Sequence, residues 1–219
     1  MNMIRRVLAS ALAVGIALAT AAAWAGPATD HVQGAVDRVL KLVQDPELKK
    51  PANTEKRRAQ IREVARSLFD FEEMAKRGLA RHWAARSPDQ KKRFTELFSD
   101  LLESSYVGKI EGYGGEKITY LPEQPDGDTV TVRSKLSTQR GTEIPIDYRL
   151  QKTGDRLAVY DVVIEGVSLV ANYRTQFNKV ITQSSYDELV KKLEQKQLEV
   201  AEEQKTRKPA PKTPAAKTP

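Results

Sequence analysis

Cysteine is absent from the 219 residues, which excludes disulfides, thiolate nucleophiles and cysteine-ligated metals. Histidine occurs only at His31 and His82, so no His-rich zinc site can be assembled. Neither G-x-S-x-G nor H-E-x-x-H is present, which removes the nucleophile elbow and the zincin helix. The Gly-rich stretch Gly112-Tyr113-Gly114-Gly115-Glu116-Lys117 lacks the spacing and the Lys-Ser/Thr of a phosphate loop, and reads as a helix terminator. Long apolar runs are missing after the first 25 residues, so no later segment has the roughly 20 apolar residues of a spanning helix.

The one apolar run that exists is short. Arg5 and Arg6 precede residues 7–19, and Ala23-Trp24-Ala25 follows. A basic n-region, a brief h-region and an A-x-A site predict a signal peptide cut after Ala25. The mature chain is then expected to be exported to the periplasm, without nucleic acid as a partner. The charge supports that exclusion. Of the net +7, Arg5 and Arg6 supply two, and Lys205, Arg207, Lys208, Lys212 and Lys217 supply five. Residues 26–204 are therefore neutral, and a duplex binder needs a basic face. Residues 205–219 hold only Lys, Arg, Pro, Ala and Thr, a composition that predicts a disordered tail, either solvated or resting on anionic membrane.

Between these ends the hydrophobic period is first helical. Val32, Ala35, Val36, Val39, Leu40 and Val43 mark one helix over residues 29–44; Ile61, Val64, Ala65 and Leu68 mark another over 54–69. Asp70 with Glu73 caps a short helix that turns Phe71, Met74 and Leu79 inward. Ser87-Pro88-Asp89-Gln90 is a fuller start signal, with a cap, proline at the first helical position and Gln at the third. It opens a long helix with Phe94, Leu97, Phe98, Leu101, Leu102 and Ser105 on one stripe.

The period then drops to two. Strands are expected over 118–121, 130–136, 144–150 and 157–164, joined by turns at Pro125–Asp128, Gln139–Gly141 and Thr153–Asp155. Pro145 implies a bulge or an unpaired stretch. Helices resume at Ser168, and Ser185 with Glu188 forms another capping box. The order is α+β: N-terminal helices, a curved four-stranded antiparallel meander, then C-terminal helices. Periodicity alone favours a filled interior over a cavity.

Two features invite a functional reading. Asp161 lies among apolar residues of a strand, with Glu165 about 13 Å further along it at roughly 3.3 Å per residue; a carboxylate paired with arginine or lying at the sheet margin is a simpler account than a general base. His82 beside Trp83 suits either a head-group contact or the end of a core.

Two stretches resemble the MlaC family of toluene-tolerance, ABC-transporter auxiliary proteins. One is Phe69-Asp70-Phe71-Glu72-Glu73-Met74-Ala75 with Leu79, Trp83, Ser87-Pro88-Asp89-Gln90, Phe94, Phe98, Leu101-Leu102 and Tyr106. The other is the unbroken run from Val162 to Phe177, with Glu165-Gly166-Val167-Ser168 at its centre. Ala80 departs from the glycine often found there. The resemblance covers residues 29–190 and implies an NTF2-like cone enclosing an apolar pocket, with no cofactor and a bound phospholipid as cargo. It further implies a periplasmic carrier, not an enzyme, working between an outer-membrane lipoprotein–porin complex and an inner-membrane ABC transporter with an MCE-domain subunit. Expected to line the pocket are Phe98, Leu102 and Tyr106 on the long helix, Val132, Ile146, Tyr148 and Val163 on the sheet, and Val167, Leu169 and Tyr173 at the following junction. Met74, Leu79 and Trp83 are expected at its mouth. A diacyl lipid hides on the order of 30 methylenes at ~0.8 kcal/mol each, so only a dry cavity carries it through water. The competing readings are a small enzyme on the same scaffold, using Asp161 with Tyr148 or Tyr160, and a periplasmic chaperone or scaffold.

Overall fold

Both periodicities reappear as elements in the computed structural model of the protein, which describes residues 26–153 and 156–206. The expected signal segment, the tip of the turn at Gly154 and Asp155, and the tail from residue 207 lie outside the described residues. Four helices come first: α1 (Pro27–Gln44), α2 (Thr54–Leu68), α3 (Phe71–Leu79) and α4 (Pro88–Glu111). The start signals work as expected. Glu73 N–H donates to the Asp70 side chain at the head of α3. At α4 the Ser87 hydroxyl accepts from Gln90 N–H while the Gln90 side chain accepts from Ser87 N–H, a complete capping box.

The sheet has six strands: β1 (Lys117–Tyr120), β2 (Gln124–Asp126), β3 (Thr129–Ser137), β4 (Glu143–Thr153), β5 (Arg156–Ile164) and β6 (Val167–Ser168). All pairings are antiparallel, in the order β1-β3-β4-β5-β6, with β2 beside β3. The meander is thus present, with β2 and β6 added. These two are the short arms of hairpins, three and two residues long, too brief to display a period. The turn between β5 and β6 is Glu165-Gly166, with φ of 50° and 81°, the pair of positive φ values of a two-residue primed turn.

Pro145 does not break the sheet. It pairs in register with Lys135, and its carbonyl accepts from Glu165 N–H. The register shift instead falls between Arg149 and Leu150, opposite Tyr160. Lacking only a donor, Pro145 remains a competent acceptor toward β5. After the sheet come α5 (Leu169–Gln183) and α6 (Tyr186–Thr206); helix therefore persists two residues beyond Gln204.

The helices do not all stack on the sheet. Ala28, Val32 and Ala35 of α1 and Leu68 of α2 pack with Val130, Val132, Leu150, Val159 and Val162 of the sheet. A second apolar cluster joins α3, α4, α5 and α6 through Met74, Leu79, Phe94, Phe98, Phe177 and Tyr186, with Phe98 edge-on to Tyr173 and Phe177. Phe69 touches both clusters. Here the chain bridges to Val159 and Asp70 N–H donates to the Val159 carbonyl. Elsewhere α2 and α4 meet through ions: Arg57 and Arg58 both bond Glu111, and Arg62 bonds Glu103. Burial works against the Glu111 charge, but hydrogen bonds from Arg58 and Arg57 hold its carboxyl below the ordinary carboxylate value. Burial holds Glu103 and Asp100 above theirs, against the nearby arginines.

Candidate functional site

Cross-strand partners share a face of a sheet, and the register sorts the expected residues. Val132 lies opposite Tyr148, Ser134 opposite Ile146, and Tyr148 and Ile146 opposite Val162 and Ile164. This face is the one covered by α1 and α2. Val163 pairs with Asp147 and Ser168, so it stands on the other face with Asp161. The alternation in β5 hid this, because residues 161–163 are all buried and the strand is apolar on both sides.

Of the other expected residues, Met74, Leu79 and Phe98 are each 1% exposed within the helical cluster, with Leu102 at its edge. Trp83, Tyr106 and Tyr173 are half-buried against the same cluster. Leu169, like Ile146 and Tyr148, packs against the sheet-side cluster. Val167 is 56% exposed at the β5–β6 hairpin. The structure therefore divides most of the set between two clusters, keeps Val163 buried outside both, and leaves Val167 in solvent.

The sheet face is apolar but carries hydroxyls. Ser134, buried, donates to the Ile146 carbonyl. Burial pushes the Tyr148 phenol up to about 12, against a hydrogen bond with Ser134. The neighbouring Tyr120 is raised further by burial, with Tyr148 and Asp37 adding to it, and its enclosed hydroxyl has no hydrogen-bond partner among the described residues. These phenols stay neutral at physiological pH and act as weak polar spots in a dry wall. Tyr120 was legible only as an alternating residue of a short strand, and nothing in its neighbours marked it.

Asp161 is 3% exposed and fully engaged. It accepts from Arg149 at 3.2 Å, from the Ser168 hydroxyl at 2.7 Å and from Val170 N–H at 3.1 Å. Ser168 in turn accepts from Ala171 N–H as the cap of α5. The carboxylate thus stabilises the positive start of α5 and joins it to the sheet, with both of its oxygens occupied by protein donors. Tyr160 stacks under Arg77 at 4.0 Å instead of facing Asp161. His82 Nε2 lies 3.0 Å from the Asn178 side chain, which also accepts from Arg81. Trp83, with Lys91 over its ring, edges a surface groove of about 350 Å³ shared with Glu72, Pro88 and Lys92; its charged rim does not suit acyl chains. Among the described residues no group of three His, Asp or Glu is placed to hold a metal ion, and no helix is long and apolar enough to cross a membrane.

Residues 33–195 match the family model described as MlaC protein. The chain belongs to the MlaC family. It is 22% identical over 169 residues to the intermembrane phospholipid transport system binding protein MlaC of Haemophilus influenzae, covering 75% of this chain and 79% of that one. It is 28% identical over 102 residues to the toluene tolerance protein ttg2D of Pseudomonas putida, covering 46% of this chain and about half of that protein, 47%. Among solved structures, a phospholipid-binding protein from Ralstonia solanacearum, in complex with a phospholipid, superposes with a TM-score of 0.70 at 26% identity over 80% of this chain and 99% of that one. The α+β architecture is thus the MlaC-like fold. The one departure falls at a strained position. Ala80 closes α3 at φ 47°, ψ −119°, a conformation in which glycine is at ease and alanine is strained.

Proposed function

We propose that this protein is a periplasmic phospholipid carrier and that its cargo lies between the inner sheet face and the α4–α5 side of the helical cluster. The observation that carries this reading is the likeness, over 80% of this chain and 99% of the other, to a solved protein that binds a phospholipid. The local chemistry supports it. An apolar wall of Val132, Ile146 and Tyr148 faces helices rather than solvent, and Leu169, Tyr173, Leu102 and Tyr106 continue it toward the second cluster. The two clusters meet at Phe69 and at the Leu169–Val170 step of α5, so their separation would expose two apolar surfaces together. Acyl chains would then cover both surfaces in place of side chains, and the head group would face water. Met74, Leu79, Phe98 and Trp83 then shape the helical side. Val163 and Val167 belong to this proposal least, being on the other face and in solvent.

The carrier would move lipid between the outer and inner membranes. Its expected partners are an inner-membrane ABC transporter with an MCE-domain subunit and an outer-membrane lipoprotein–porin complex. The relative named for intermembrane phospholipid transport supports movement between membranes. Mass spectrometry of an organic extract from natively folded protein, purified without detergent, tests it. Near-stoichiometric phospholipid is the expected result. A stable protein that yields none, and takes up none from vesicles, would refute the reading.

A further inference from the structure

The start of α1 is capped from a distance. Gly26, at its cap position, has no side chain with which to bond the first turn. Glu123, in the loop between β1 and β2, does it instead: its carboxylate accepts from Thr29 N–H at 3.0 Å and from the Thr29 hydroxyl at 3.2 Å. Thr29 is wholly buried. The same carboxylate lies directly against the Cα of Gly26, and a Cβ there would collide with both of its oxygens. Serine or aspartate, the usual caps, would have to displace this carboxylate from position 26.

Gly26 is also the residue after the Ala23-Trp24-Ala25 signal. Its nitrogen is one bond from the atom that the carboxylate touches. A free amino group at a helix start is normally unfavourable, since the helix end is already positive. We propose that cleavage between Ala25 and Gly26 creates an α-ammonium that pairs with Glu123, so that the fold recognises its own processed terminus and clamps α1 to the sheet. Glu123 then does two things, capping α1 and holding the terminal charge. Asp30 in the same turn adds negative charge, and His31 follows it with its Nε2 enclosed. The proposal rests on the export reading, and its test separates the two.

The full chain is expressed with its leader, the exported protein is purified, and intact mass gives its N-terminus. The protonation of the α-amine is then followed by the pH dependence of its labelling, in wild type and in E123Q. The amide oxygen in E123Q still accepts from Thr29, so the cap survives and only the charge is lost. A mass beginning at Gly26, with the wild-type amine titrating roughly one unit above that of E123Q, is the expected result. A mature chain that begins elsewhere overturns the cleavage site. The right terminus with the same titration in both proteins overturns the pairing alone. Should E123Q fail to fold, acetylating the wild-type terminus must lower its melting temperature; an unchanged melting temperature overturns the pairing as well.

Discussion

Ala80 carries a backbone conformation that costs a residue with a Cβ of order 1–3 kcal/mol. Ala80→Gly is therefore expected to stabilise the protein, by about 1 kcal/mol after the entropy of glycine in the unfolded chain is subtracted; thermal unfolding reads this directly. Asp161 is the opposite case, a residue whose loss leaves buried donors behind. Asp161→Ala orphans Ser168 and Val170 N–H and is expected to cost about 2–4 kcal/mol. Arg149 is itself half in solvent, so its share is small. A general base at this position would instead leave stability intact, which chemical denaturation of the variant distinguishes. Tyr148 makes a pH prediction. Its folded value of about 12 exceeds the ordinary tyrosine value near 10, so the neutral phenol favours the folded state. That contribution is complete below about pH 10 and is lost as pH rises toward 12. Tyr148→Phe should remove this part of the alkaline loss, seen in denaturation midpoints across the pH range.

At the scale of elements, the charged contact between α2 and α4 has its own pH signature. Glu111 is depressed below the ordinary carboxylate value, so its contribution is present above roughly pH 4 and fades as pH falls through the folded value. The stability gap between wild type and Glu111→Gln should therefore narrow in acid. A gap independent of pH would mean that the arginines are satisfied without it. The helix starts were legible because capping is local: Ser87, Asp70, Ser168 and Ser185 each find a partner within three residues. Glu123 was not legible as a cap, because it reaches Thr29 across 94 positions. Strand lengths were legible where alternation ran long, and lost in β2 and β6, where two or three residues hold no period. Pro145 misled for a related reason. Its missing donor matters only on the side where a partner needs it, and that side is known only once β5 is placed.

At the scale of the molecule, the proposed carrier requires that the inner sheet face meet lipid. Ile146→Arg puts a guanidinium on that face and should lower co-purified phospholipid several-fold in protein that still folds. Val163→Arg, on the Asp161 face, should leave lipid per folded molecule unchanged, whatever it does to stability. Equal lipid loss in both would place the cargo elsewhere. Division into two apolar clusters was not legible from helix stripes, because a stripe states that a face is buried and not against what. Residues as alike as Val132 and Phe98 thus end in different clusters.

Composition and period alone determined the helix–sheet–helix order, the absence of thiol chemistry and the neutral body between basic ends, while the family entered through the resemblance of two motifs to known proteins. These are local or additive properties, carried by neighbours within a few positions. Tertiary structure alone decided which sheet face is covered by α1 and α2, that Asp161 serves the start of α5, that Val163 turns away from Ile146, and that Glu123 sits at Gly26. Each of those depends on register or on contacts beyond the reach of local periodicity, and a one-residue change of register would reverse every face of a strand.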